Sequence, residues 1–408
     1  MYPTMVTWWW WLSFVRPGCL YKNWKIIMDF SHTDREECGV PKERFILVNT
    51  LHGLWYLFHA IRFASMSLTT MGYIQGWSQI LGHSLQSLGP PVKLLPVATC
   101  IALGTIVHYR VTVIRLCKQD NLTFLTTVKQ MESSEGWDGE KKIKTGRWLL
   151  MLAHTGLLVI AAMNIPFLSG AFVVNLIKSE NWIEMACWTF WWIIDLLLVM
   201  TGVVDYVLFP VLWLLIVLDY KIDLQALIRV TFNPYLIDDK VTAAHAGLTF
   251  QQVVRRYNCV IHKAVRVNEV SAKILFAITL CTTPLLCSTI FMIDHSDNFL
   301  ITIYLCALVT PPLVISVLAL TTAASLDSLT QELHHRLCCL AAHNNDRFTV
   351  EQKVILLHMM EQAGAVQTPF ALFTLLGVKC TSEMALMYVI KMVLDYELLV
   401  ILNRFINL

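Results

Sequence analysis

Beyond its first turn, the last apolar stretch of the chain carries four charged side chains. Residues 382–405 read SEMALMYVIKMVLDYELLVILNRF, which places Lys391, Asp395, Glu397 and Arg404 among Leu, Ile, Val and Met. Charged groups in apolar helices are costly and face protein or water rather than lipid. They mark ion paths, ligand counter-charges or interhelical pairs. Lys391 and Asp395 are four apart, so they share a helix face. That spacing suits a simple pair, and it equally suits one wall of a hydrated path. Two further acids, Asp195 and Asp205, lie in an apolar run that opens with Trp182, Trp188, Trp191 and Trp192. Trp faces stack on sugars or organic amines, and a carboxylate takes a hydroxyl or a cation. The same Trp cluster also suits an aromatic belt at a membrane interface. His52, His59 and Arg62, in the first apolar run, imply a face packed against protein. His108 and His154 read as histidines satisfied in a core or at an interface, since no ligand spacing pairs them.

Other chemistry is not suggested. No nucleophile elbow, P-loop or HExxH occurs, so nothing points to an enzyme. The 12 Cys show neither metal-type nor disulfide-framework spacing, and most sit in apolar runs as small hydrophobes. Cys338–Cys339, at a span end, reads as the same, with palmitoylation as the alternative. No metal or cofactor is expected. Basic residues cluster between apolar runs, which does not suggest nucleic acid.

The elements that must position these groups are membrane helices. The chain has 408 residues, 56% hydrophobic and only 15% charged, with mean hydropathy +0.58. A soluble protein of this size is nearer a quarter charged. Seven spans are predicted, at about 45–69, 92–116, 148–177, 183–218, 271–293, 298–325 and 382–405. Residues 1–44 read as a cytosolic arm. Their VTWWWWLSFV run fits an interfacial segment, with no cleavable signal peptide. Residues 117–147 read as a loop. The fourth and fifth spans are expected to extend as helices into the polar stretch 219–270. Pro311–Pro312 predicts a break or kink in the sixth, which then runs on through SLDSLTQELHHRL. Residues 341–348 read as a loop. Thr349 and Gln352 form a capping-box pattern that starts a helix. Residues 370–378 are too short to cross and are expected to pack in a protein core. Thr381 and Ser382 are N-cap candidates for the last span. The expected division is an arm (1–44), six spans with cytosolic loops (45–325), cytosolic helices (326–378) and the seventh span (379–408).

Charge sets the orientation. Lys and Arg number six in 1–44, six in 118–147, seven in 219–270 and three in 326–367, whereas the opposite loops hold only Lys178. The positive-inside rule puts the N-terminus in the cytosol, so seven spans put the C-terminus outside. The Asn121-Leu122-Thr123 sequon then faces the cytosol and stays unmodified. No DRY or CWxP pattern occurs, and this orientation is opposite to that of a G-protein-coupled receptor.

This plan resembles the insect gustatory and odorant receptor superfamily, with the chain similar to a divergent gustatory-receptor-like member. The likeness rests on a length near 400, seven spans with a cytosolic N-terminus, long cytosolic helical extensions and a final span that ends the chain. The gustatory tail motif is Thr-Tyr, five hydrophobics, then Gln-Phe. Here Asp395-Tyr396 and the terminal VILNRF (400–405) are its degenerate counterparts, with Arg404 and Phe405 at the Gln-Phe positions when the ends are matched.

The resemblance implies a ligand-gated, non-selective cation channel in the cell membrane of sensory neurons, opened by a small-molecule tastant. It implies a homo- or heterotetramer, with the 350–378 helices as the cytosolic anchor. Four copies of the last span would line a central pore gated by Ile401 and Phe405. Phe405, Ile401, Leu398, Leu394 and Lys391 do fall on one helix stripe, although any apolar helix has such a stripe. Lys391 and Asp395 would form a deeper, wetter wall. Arg404 disfavours cations if it faces the pore, so its snorkelling to the outer headgroups is preferred. The ligand would sit in the outer half of the membrane, where Trp188, Trp191, Trp192, Asp195 and Tyr304 are the candidates. A non-channel seven-span receptor with a cytosolic partner, or a transporter, remains the alternative.

Overall fold

The computed structural model describes residues 24–25, 41–70, 81, 94–119, 124–133, 137–179, 181–231, 250–277, 283–296, 299–343, 348–365, 367–372 and 379–406. Expectations for the Trp8–Trp11 run and most of the 1–44 arm fall outside these residues. So do those for the Asn121 sequon, nearly all of the 70–91 loop and residues 373–378. The described chain is all-helical. In order, the helices are α1 (Lys42–Thr70), α2 (Leu95–Lys118), α3 (Phe124–Ser133), α4 (Trp137–Lys178) and α5 (Trp182–Thr231). They continue as α6 (Phe250–Ala277), α7 (Thr283–Asp294), α8 (Phe299–His343), α9 (Val350–Gly364) and α10 (Ser382–Ile406).

Four of them, α2, α4, α5 and α8, are long and apolar enough to cross a membrane, which marks a membrane-embedded chain. Three predicted spans fall outside that set, each for a visible reason. Asn49, His52, His59 and Arg62 dilute the apolar run of α1. Lys391, Asp395 and Glu397 do the same for α10. The predicted fifth span (271–293) is described in two stretches, the end of α6 up to Ala277 and α7 from Thr283, with residues 278–282 outside the described residues.

Three other expectations change. The predicted 117–147 loop holds α3 and the first turns of α4. The polar side chains that suggested a loop instead give α3 a strongly amphipathic face, on which Phe124, Val128 and Met131 are buried. Pro311–Pro312 does not break α8, which is helical from Phe299 to His343. α8 also runs to His343, into the start of the predicted 341–348 loop. The expected extensions are present: α5 continues to Thr231, and α6 and α8 carry the bundle on below the apolar zone.

Local signals act where the sequence places them. Thr349 accepts from the Gln352 amide at 3.3 Å while Gln352 Oε1 accepts from the Thr349 amide at 3.0 Å, completing the capping box of α9. Thr381 caps α10 by accepting from the Met384 amide at 3.2 Å.

α5 is the central helix. In its most apolar stretch 78% of residues are buried, against 28% in α4 and 35% in α8. It packs on α2, α4, α6 and α8. Its lower half, with Leu212, Trp213, Leu215, Val217 and Tyr220, meets α6, α8 and α9 in one continuous core. Phe370, Ala371 and Leu372, the described part of the 370–378 stretch, are sealed into that core. Tyr220 donates to the Phe370 carbonyl (2.8 Å) and Asn268 to the Ala371 carbonyl (2.9 Å).

Candidate functional site

The upper half is held by buried ion pairs rather than by close packing alone. The Arg110 guanidinium on α2 makes a two-pronged contact with the Asp205 carboxylate on α5, including Nε to Oδ2 at 3.0 Å. Its Nη1 donates to Asn49 Oδ1 on α1 at 2.7 Å. All three side chains are buried. About 15 Å further up α5, ten residues earlier, Asp195 meets Arg62 of α1, with Nη1 to Oδ1 at 2.6 Å and Nη2 to Oδ2 at 3.3 Å. The Arg62 guanidinium also lies 3.7 Å from the centre of the Trp191 ring, and its Nε donates to the Leu81 carbonyl at 2.8 Å. At the lower end, Asp219 and Asp223 of α5 alternate with Lys142 of α4 and Lys263 of α6 in a four-membered ring of charge.

Beside the Arg62–Asp195 pair lies a cavity of about 160 Å³, walled by α1, α2, α4, α5, α7 and α8. Its lining is chiefly apolar, from Phe63, Leu103, Phe167, Leu198 and Leu285 among others. Polar groups enter it at a few points. The Tyr304 hydroxyl donates to Asn164 Oδ1 at 2.9 Å, and the Tyr304 ring stacks on Phe167 at 3.8 Å. Asn164 Nδ2 donates to the Ile160 carbonyl at 2.8 Å. Thr99 and Thr289 turn their hydroxyls back to the Leu95 and Leu285 carbonyls. Enclosed, mostly apolar cavities with a few convergent polar groups are the usual form of small-molecule sites.

The candidate residues divide between two places. Tyr304 and Asp195 line this cavity. Trp188, Trp191 and Trp192 do not; with Leu168, Phe172 and Asp195 they close around a space of about 10 Å³. Trp192 is stacked on Phe172 at 4.8 Å, and Trp191 is covered by Arg62. Those rings brace the pair instead of opening onto a ligand space, and the cation held by Asp195 is Arg62. Asn164, Phe167, Thr99 and Thr289 were missed. Asn164, a polar residue two before Pro166 in the middle of a span, was the available signal. His108 is satisfied, with Nε2 at 3.1 Å from the Lys273 carbonyl.

α10 packs on α7 and α8 at the side of the bundle. Cys287 of α7 donates to the Met392 carbonyl at 3.2 Å, and Tyr396 donates to Asp294 of α7 at 2.9 Å. Lys391, Leu394, Leu398 and Ile401 are all exposed, on the side of α10 turned away from the bundle. Asp395 is half-buried and bonds Lys391 within the helix. Arg404 and Phe405 belong to the last turn of α10, but their side chains lie outside the described residues. Among the described residues, no cluster of His, Cys, Asp or Glu is arranged to hold a metal ion.

Comparison of the chain with known proteins finds no family model that matches and no curated protein that matches.

Proposed function

We propose that the protein is a membrane receptor for a small molecule, built as a ligand-gated cation channel of the chemosensory type. In this reading α1, the α6–α7 unit and α10 join α2, α4, α5 and α8 to make seven spans with the N-terminus in the cytosol. Four copies assemble with α10 around a shared axis. The observation that carries the reading is the position of α7. Leu285, Leu286 and Thr289 form part of the cavity wall, while Cys287 and Asp294 of the same short helix hold α10. A ligand that wedges the cavity moves α7, and α7 moves the helix beside it. The exposed row Leu394–Leu398–Ile401 supports the same reading, since an apolar row repeated around an axis gates by dewetting.

Patch clamp of the protein expressed at a cell surface tests it. Ile401→Ala and Phe405→Ala are expected to raise resting current, and Leu286→Trp to change ligand-evoked current without abolishing surface expression. Substrate uptake without channel currents would replace this reading with a transporter. Purified, reconstituted protein that binds ligand but never conducts would replace it with a non-channel receptor.

A further inference from the structure

The cavity wall says which ligand chemistry it accepts. Its volume, about 160 Å³, is close to that of engineered apolar cavities that stay dry and bind benzene. The polar groups of Thr99, Asn164, Thr289 and Tyr304 already have protein partners. A sugar would bring several hydroxyls into a space where these groups are committed, and each buried hydroxyl left unpaired weakens binding roughly tenfold. The strongest single partner for a buried ammonium group is a carboxylate. Among the described residues lining the cavity, Asp195 is the sole acid, and both its oxygens are held by Arg62. Arg62 is itself fixed by the Trp191 ring and the Leu81 carbonyl.

We propose that the cavity takes an uncharged, largely apolar molecule about the size of one substituted ring, and that Arg62, by occupying Asp195, keeps organic cations out. This rests on the receptor reading only for the cavity being a ligand site. Arg62 is thus the specificity-determining residue: it fills from within the place an ammonium group would take. Removing it while leaving Asp195 converts the wall from one that rejects amines to one that attracts them.

The test uses ethylbenzene and 2-phenylethylamine, which share a ring and differ in the ammonium group, with glucose as the polyol. Each is added to the purified full-length protein in lipid nanodiscs, and the thermal midpoint is read. Ethylbenzene is expected to raise the midpoint by about 2–4 °C at saturating concentration. That shift should vanish in Ala102→Phe or, if this variant does not fold, in Val199→Phe, since each fills the cavity. Phenylethylamine and glucose should give no such shift in the unaltered protein. In Arg62→Gln, or Arg62→Met if the first does not fold, phenylethylamine should gain a shift that Asp195→Asn removes. An ethylbenzene shift equal in the cavity-filled variant, or none at all, overturns the proposal. A cavity-dependent shift with the amine or glucose in the unaltered protein overturns it as well. Binding is read without current, so a normal ethylbenzene shift in a protein that never conducts sinks the channel reading and leaves this one standing.

Discussion

α5 and α10 both carry carboxylates inside apolar helices, and they treat them oppositely. On α5, Asp195, Asp205 and Asp219 each meet a cation from another helix: Arg62 of α1, Arg110 of α2, and Lys142 and Lys263 of α4 and α6. On α10, Asp395 meets Lys391 of its own helix, at the surface. The first arrangement ties four helices to one spine and fixes their rotation, because a one-residue rotation would strand a buried charge. The second fixes nothing outside α10. The comparison can be broken by removing charges from each.

The largest effect is expected at Arg110–Asp205. Arg110→Leu or Asp205→Leu leaves an uncompensated buried charge, which costs about 3–5 kcal/mol. In a membrane protein this should appear as lost expression or a much lowered thermal midpoint in detergent. The double variant Arg110→Leu/Asp205→Leu, which strands neither, should recover most of the loss. Equal loss in all three variants would show that shape, not charge, holds this site.

Next comes the lower ring. Lys142 and Lys263 share Asp219 and Asp223, so losing one cation leaves the other in place. Lys263→Ala is expected to cost about 1–2 kcal/mol, less than the Arg110 variants, and the cost should fall in high salt because Lys263 is partly exposed. Lys142→Ala/Lys263→Ala should cost more than the sum of the single changes, since only then is Asp219 abandoned. The matching change on α10, Lys391→Ala, should alter stability by no more than about 0.5 kcal/mol, as measured for exposed pairs four apart. A loss like that of Arg110→Leu would mean that the outer face of α10 is buried against another copy.

Which charges were buried was legible in the sequence; which partner each found was not. Asp195 and Asp205 stand out in a run of Leu, Val and Trp, and an acid there needs a base. Arg62 was visible as an oddity, yet no local pattern joins it to a residue 133 positions away. Arg110 passed unremarked, although an Arg inside an apolar run demands an acid elsewhere. The caps at Thr349 and Thr381 were readable because capping is settled within four residues. Single polar residues in apolar runs, Asn164, Asp195 and Tyr304, pointed towards the cavity, but its shape had no signature. It arises where six helices fail to fill a common space, and that depends on side-chain volumes from every one of them.

The one effect absent near neutral pH lies in the sealed lower half, at Cys380. It sits just before α10 and is 2% exposed, and its amide donates to the Leu372 carbonyl at 2.8 Å. Burial pushes its thiol from an ordinary value of 9.0 up to about 12. The folded form therefore holds its proton where the unfolded form has lost it. The contribution is complete below pH 9 and declines as pH rises from 9 towards 12, because the unfolded chain is then favoured by ionisation. Two outcomes follow. Maleimide at pH 8 should label exposed Cys259 and leave Cys380 unmodified until the protein is denatured, since the thiolate is the reacting species. Stability should fall less steeply between pH 9 and 11 in Cys380→Ala than in the unaltered protein, by up to about 2 kcal/mol for a shift of this size, with Tyr257, also raised by burial, contributing at the upper end in both. Rapid labelling of Cys380 at pH 8 would mean that the joint between the lower core and α10 opens often.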